Sequence, residues 1–257
     1  MYGLADDGSV PVVSPWGANT KLGRDGAYPV VGLTFPAAVS TLIDGGRVSL
    51  CPCSTPQCRS TCLVSSGRMK FDDNERARLA RAHLLARHLP ECLGLLRRDT
   101  LREMRRLRRL GATTVGLRRN VTSDVAWWLV DPTFGPWLRG VADTLGIAVV
   151  AYGYTKRREL LGDPAADLLT YSVSERDRLL DIAAMVDTGQ NVAVVLPVGR
   201  HDAMPTTWHG LPMIDGDVSD YRPADPTGIV VGLRWKGKAR KLSPSWAGFV
   251  KPLEAAA

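Results

Sequence analysis

From residue 28 onward, short unbroken apolar runs alternate with stretches of helical period. The runs are residues 30–35, 113–118, 147–152, 168–172, 192–196, 212–214 and 229–233. Strands that are apolar throughout, rather than at every second position, are those of a parallel sheet covered on both faces. Residues 73–110 have the 3.6-residue period, broken at Pro90 into two helices, and Gly111 supplies a C-terminal stop. Further helices are predicted over 136–145, closed by Gly146, over 157–161, and over 175–187, closed by Gly189. No repeat of 20 to 50 residues is present, which excludes a solenoid. The alternation predicts a single α/β domain over 28–252. Its expected form is a parallel (β/α) barrel or partial barrel, TIM-like, with six to eight strands; an open doubly wound sheet is the alternative. Residues 1–27, rich in Gly, Asp, Pro and Ser, read as an irregular arm, and 253–257 as a cloning remnant.

In such a fold the loops after the strand ends converge on one face. Here those loops carry polar side chains. Asn120 and Asp124 follow the second strand, Tyr152, Tyr154 and Lys156 the third, and Ser172 and Ser174 the fourth. Asp215 and Asp217 follow the sixth, and Lys236 the seventh. Tyr152, Tyr154 and Lys156 alternate, so they share one side of their strand. A lysine desolvated there suits acid–base work or anion binding. Lys156, Asp124 and Tyr154 are therefore the candidate catalytic residues. Asn120, Tyr152, Ser172, Ser174, Asp215, Asp217 and Lys236 are candidate substrate-binding residues. The Asp215-Gly216-Asp217 turn with Asp220 reads either as a hard-metal site or as a hydrogen-bonded turn.

Four of the five cysteines fall in one segment, Cys51, Cys53, Cys58 and Cys62, spaced C-x-C-x4-C-x3-C. Thiolates crowded so closely are most simply explained by a shared metal. An iron–sulfur cluster, a four-thiolate zinc and reduced, metal-free cysteines are the readings left open. Cys92 sits among leucines and reads as a small buried hydrophobe. The N-terminus has no basic and apolar leader, and no apolar run approaches the roughly 18 residues that span a bilayer, so a cytoplasmic, membrane-free protein is expected. Reducing conditions there disfavour disulfides.

The formal net charge is +7. Arginine is densest over residues 95–110, where Arg98, Arg102, Arg105 and Arg109 belong to a helical face opposite Leu96, Met104 and Leu107. That face is either a solvated surface or a nucleic-acid contact; no aromatics interleave as a base-stacking platform would require. The chain has no nucleophile elbow, phosphate-binding P-loop, dinucleotide fingerprint or metal-binding histidine pair.

The motifs together resemble a known family. Asn19-Thr20-Lys21-Leu22-Gly23, Leu33-Thr34-Phe35-Pro36, Cys51-Pro52, Cys58, Cys62-Leu63 with Gly67-Arg68, Asn120-Val121-Thr122-Ser123-Asp124, Tyr152-Gly153-Tyr154-Thr155-Lys156-Arg157 and Tyr171-Ser172-Val173-Ser174-Glu175 carry the resemblance. So do Asn191-Val192-Ala193-Val194-Val195, Asp215-Gly216-Asp217 with Asp220 and Arg222, Asp225-Pro226, and Gly232-Leu233-Arg234 with Lys236-Gly237. The chain resembles the "gene product eighty-eight" family of actinobacteriophages and some plasmids over about residues 19–250. The resemblance implies a host bacterial cytoplasm, adds Arg222 to the substrate-binding set, and makes Cys51, Cys58 and Cys62 the recurrent cysteines with Cys53 an extra.

Three thiolates spaced C-x6-C-x3-C after a first strand are also similar in placement to the cluster loop of radical S-adenosylmethionine enzymes. There three cysteines hold a [4Fe-4S] cluster whose fourth iron stays open for S-adenosylmethionine. The spacing departs from that group's C-x3-C-x2-C, and no glycine-rich segment follows strand two. Two functions are expected in turn. One is an iron–sulfur enzyme resembling the radical S-adenosylmethionine group and acting on nucleic acid or a nucleotide. The other is a zinc-stabilised, basic nucleic-acid-binding phage protein without catalysis.

Overall fold

The computed structural model of the chain describes residues 12–14, 28–36 and 38–253. The expected arm lies outside the described residues except at its residues 12–14, as does the Asn19–Gly23 motif; so does the expected remnant beyond Leu253. In chain order the elements are β1 (Val13–Ser14), β2 (Val30–Leu33), β3 (Val39–Thr41), β4 (Arg47–Ser49), α1 (Pro56–Ser60), α2 (Asp72–Arg87), α3 (Leu89–Arg109), β5 (Thr114–Asn120), α4 (Trp127–Val130) and α5 (Phe134–Leu145). They continue with β6 (Ala148–Thr155), β7 (Leu168–Ser172), α6 (Leu179–Asp187), β8 (Val192–Leu196), β9 (Thr207–Trp208), β10 (Leu211–Asp215) and β11 (Val230–Arg234).

Nine strands form one sheet in the order β1-β2-β5-β6-β7-β8-β11-β10-β9, and β3 with β4 makes a separate hairpin. Every neighbouring pair from β2 to β10 is parallel; β1 and β9 are antiparallel additions at the two edges. The fold is a single mixed α/β domain. It is not a barrel. Closure would require the outermost parallel strands to pair with each other, whereas β1 caps one edge, β9 caps the other, and β11 inserts inside β10.

Nor is the sheet doubly wound. The register places Val31, Leu117, Tyr171, Val192, Val194, Val230 and Met213 on one face. Against that face pack Ala82 of α2, Leu96, Met104 and Leu107 of α3, and Phe134 and Leu138 of α5. Ile182 and Val186 of α6 cover its other half. The opposite face presents Gly32, Gly116, Arg118, Tyr152, Tyr154, Thr170, Ser172, Ala193, Val195 and Leu233. It is covered by rings and loops in place of long helices: Tyr221 packs on Val30 and Tyr152 and stacks with Tyr28 at 4.5 Å between centroids. Gly116 is needed beneath them, because a Cβ there would lie 2.9 Å from the Tyr221 ring and 3.0 Å from Tyr152.

The two long helices divide at His88, with Pro90 in the first turn of α3 where its missing N–H is harmless. Gly146 closes α5 in the left-handed conformation at φ 60°, the backbone that glycine adopts without strain. Among the described residues no helix is long and apolar enough to cross a membrane.

Candidate functional site

Beyond the C-terminal ends of the central strands this face opens into a cavity of about 610 Å³. Cys51, Cys58 and Cys62 line it, together with Asn120, Asp124, Tyr154, Lys156, Ser172 and Lys236. Cys53 is not among the lining residues, nor are Tyr152, Ser174, Asp215, Asp217 and Arg222. Sequence reasoning missed Arg118, Arg78, Arg81 and Phe249, which also form the wall. Arg118 had a readable signal, since it interrupts an otherwise apolar strand; Phe249 is brought in from near the C-terminus by tertiary contact alone.

The cysteine segment is not a bare loop directly after the first parallel strand, as expected. The β3–β4 hairpin intervenes, and Cys58 lies inside α1. The Thr55 side chain accepts from the Cys58 N–H, and Pro56 occupies the first turn. Glu175 clamps this turn from outside. Its carboxylate accepts from the Thr55 hydroxyl at 2.5 Å and from the Gln57 N–H at 2.9 Å. Burial alone would raise the Glu175 pKa, but these two hydrogen bonds hold it below its ordinary value. The Gln57 side-chain oxygen in turn accepts from the Phe249 N–H at 2.8 Å. At the segment's start, the Asp124 N–H donates to the Leu50 carbonyl at 2.7 Å, and the Cys51 thiol lies 3.6 Å from the Thr122 carbonyl.

Two of the cavity thiols, Cys51 and Cys62, are held in their neutral form. Burial, with the charges of Cys62, Asp124 and Cys58, pushes the Cys51 thiol up to about 12. Burial and the Cys58 charge also raise Cys62. Thiolates in this arrangement want a cation, because only positive charge offsets both desolvation and mutual repulsion. Arg78 stands near Cys62, and Lys156 near Cys58, as part of that compensation. Three soft sulfur donors on one cavity wall are the ligand type that an iron–sulfur group takes. Among the described residues, no three His, Cys, Asp or Glu side chains gather as the ligands of one metal ion.

Lys156 extends from the end of β6. Burial lowers its pKa, opposed by Cys58, Asp177 and Asp124. Its Nζ donates to the Ser172 carbonyl and hydroxyl, both at 2.9 Å, and to the Val173 carbonyl at 3.1 Å. It also sits 5.2 Å from the centre of the Phe249 ring. Three donors thus meet three oxygens. Asp124, raised by burial, accepts the Lys156 backbone N–H at 2.9 Å. Asp124 thus meets Lys156 through the lysine's backbone N–H.

The acidic turn is already neutralised. Arg234 donates to both Asp215 oxygens at 2.6 and 2.8 Å, and its backbone N–H to Asp217 at 3.0 Å; Lys236 also donates to Asp217. This is the hydrogen-bonded turn of the two readings. Tyr152 lies fully buried and donates to the Asp220 carbonyl at 2.7 Å. Ser174 hydrogen-bonds Asp177, and Arg222 lies beside Asp225.

The arginine face is elsewhere. α3 packs on the sheet's other side, where Arg98 and Arg102 both turn to the buried Asp99 at 3.0 and 3.5 Å. Arg109 donates to the Arg105 carbonyl of its own helix, and both of those side chains are exposed.

The cavity is thus assembled from segments spread between Thr34 and Phe249. A family model described as Gene product 88 matches residues 14–247, which takes in every one of these segments except Phe249. The chain belongs to the Gene product 88 family. No curated protein and no solved structure matches it. All three cavity cysteines and every strand-end residue just described fall inside the region matched to Gene product 88.

Proposed function

We propose that this chain is an iron–sulfur enzyme in which Cys51, Cys58 and Cys62 hold a [4Fe-4S] cluster at the edge of the cavity. The observation that carries the reading is the sorting of the cysteines: Cys51, Cys58 and Cys62 line one cavity, while Cys53 and Cys92 stand apart from it. Three thiolates leave one iron of a four-iron cluster without a protein ligand. When bound, the cluster supplies that open, electron-transferring iron beside a substrate-sized space. The chain's own residues do the rest. Arg78 and Lys156 balance the thiolate charge. Asp124 and Glu175 fix the cysteine segment to the ends of β5 and β7. Lys156, with all three N–H groups engaged, acts as fixed positive charge more readily than as a base, because a base needs a free lone pair.

S-adenosylmethionine, which chelates through an amino and a carboxylate group, is the cofactor proposed for the open iron. The test begins with protein purified without oxygen, for which about four irons per chain and broad visible absorbance are expected. Adding S-adenosylmethionine to the dithionite-reduced protein should then change its electron paramagnetic resonance spectrum. An unchanged spectrum would remove S-adenosylmethionine and leave the cluster. Stoichiometric zinc in colourless anaerobic protein, or neither metal after reconstitution, would remove the cluster itself.

A further inference from the structure

Most of the cavity's basic side chains are engaged by the protein. Arg234 and Lys236 are bound to Asp215 and Asp217. Arg78 and Arg81 donate to the carbonyls of Met69 and Thr34. Lys156 has its three oxygens. Arg118 differs. It rises from the cavity face of β5, is only 9% exposed, and donates through Nη1 to Asp220 at 3.0 Å, while its Nε meets no acceptor. Its guanidinium lies 4.9 Å from the centre of the Tyr154 ring, and both line the cavity. Behind them Arg222, 2% exposed, also has an Nε without an acceptor. Its carboxylate neighbour Asp225 stands 3.0 Å from Nη1. Burial raises the Tyr154 pKa, and the two guanidinia work against that rise, so both reach the phenol electrostatically.

Buried guanidinium donors left unmet are costly, and planar N–H forks are matched by oxyanions. A cavity of about 610 Å³ suits a mononucleotide or a molecule of similar size. Phe249 and Leu233 give it apolar wall for a ring.

From this geometry we infer that Arg118 and Tyr154 form an oxyanion subsite, which takes the phosphate or carboxylate of a nucleotide-sized substrate in the cavity. The inference deepens the reading of this cavity as the substrate site and does not need the cluster. Isothermal titration of the full chain with inorganic phosphate, a nucleoside monophosphate and succinate tests it. Saturable binding of the two phosphates identifies a phosphate subsite, and of succinate alone a carboxylate subsite. In either case the double substitution Arg118→Gln with Asp220→Asn, which removes both ends of the ion pair, should weaken binding about tenfold or more. Tyr154→Phe should weaken it severalfold, and Arg139→Gln on α5, an exposed residue on the far side of the sheet, should leave it unchanged. Where the double variant does not fold, as judged by its melting curve, Tyr154→Phe decides. Undiminished binding in the folded variants, or no saturable binding of any probe, would overturn the inference. Iron measured in the same samples keeps the two proposals apart. Iron-free protein that still binds the anion through Arg118 contradicts only the cluster; iron-loaded protein that binds none contradicts only the subsite.

Discussion

Asp225 is a buried carboxylate whose charge is poorly offset. It lies beside Arg222, yet burial dominates and lifts its pKa from 3.8 to about 6. A carboxyl with a raised folded pKa binds its proton more tightly in the folded state than in the unfolded one. Stability therefore falls as pH rises from about 4 to about 6 and levels off above that. Denaturant unfolding of wild type and Asp225→Asn across pH 4 to 8 should show the wild type losing stability relative to the variant over that window. A difference that does not change with pH would contradict the account of this site. At this scale, much of the cavity was legible. Asp124, Tyr154, Lys156 and Ser172 could be placed at one mouth because strand ends of a parallel sheet must converge. Asp215 and Asp217 are bound by Arg234 and Lys236, nineteen residues on, and Ser174 by Asp177 within one turn, partners that the strand pattern does not reveal.

The elements followed the hydrophobic pattern wherever burial was two-sided. β7 and β8 have the expected bounds, and α2 and α3 divide within two residues of Pro90. The hairpin of β3 and β4 escaped notice because its residues are exposed or half-buried, with no apolar run to mark them. α6 begins at Leu179, later than its apolar period suggests, because the Asp177 carboxylate holds the Ser174 N–H and hydroxyl in a turn. Two predictions belong to elements. Gly116→Ala on β5 should cost about 1–3 kcal/mol in denaturant unfolding, since Tyr152 and Tyr221 are both buried and cannot retreat from the added methyl group. A neutral effect would show that the rings move. Glu175→Ala removes two hydrogen bonds at the start of α1. It should cost about 1–3 kcal/mol and speed amide exchange at Gln57 and Cys58 more than in α3. Equal protection in both proteins would show that Glu175 does not hold the cysteine segment.

For the molecule as a whole, the sequence pattern led to a parallel sheet but not to its shape. A barrel and an open sheet share the same strand–helix alternation; what separates them here is the antiparallel pairing of β1 and β9 and the insertion of β11, long-range choices with no local signature. With α3, α5 and α6 packed on one face, no long helix crosses the other, and that asymmetry makes room for the cavity, which α2 walls from one side. The thiols at its edge are the centre of the functional account. Its most direct test is the iron content of five single-alanine variants purified without oxygen. Cys51→Ala, Cys58→Ala and Cys62→Ala should each lose the cluster, while Cys53→Ala and Cys92→Ala should keep about four irons per chain. Zinc in place of iron, with Cys53 as indispensable as the other three, would contradict the account.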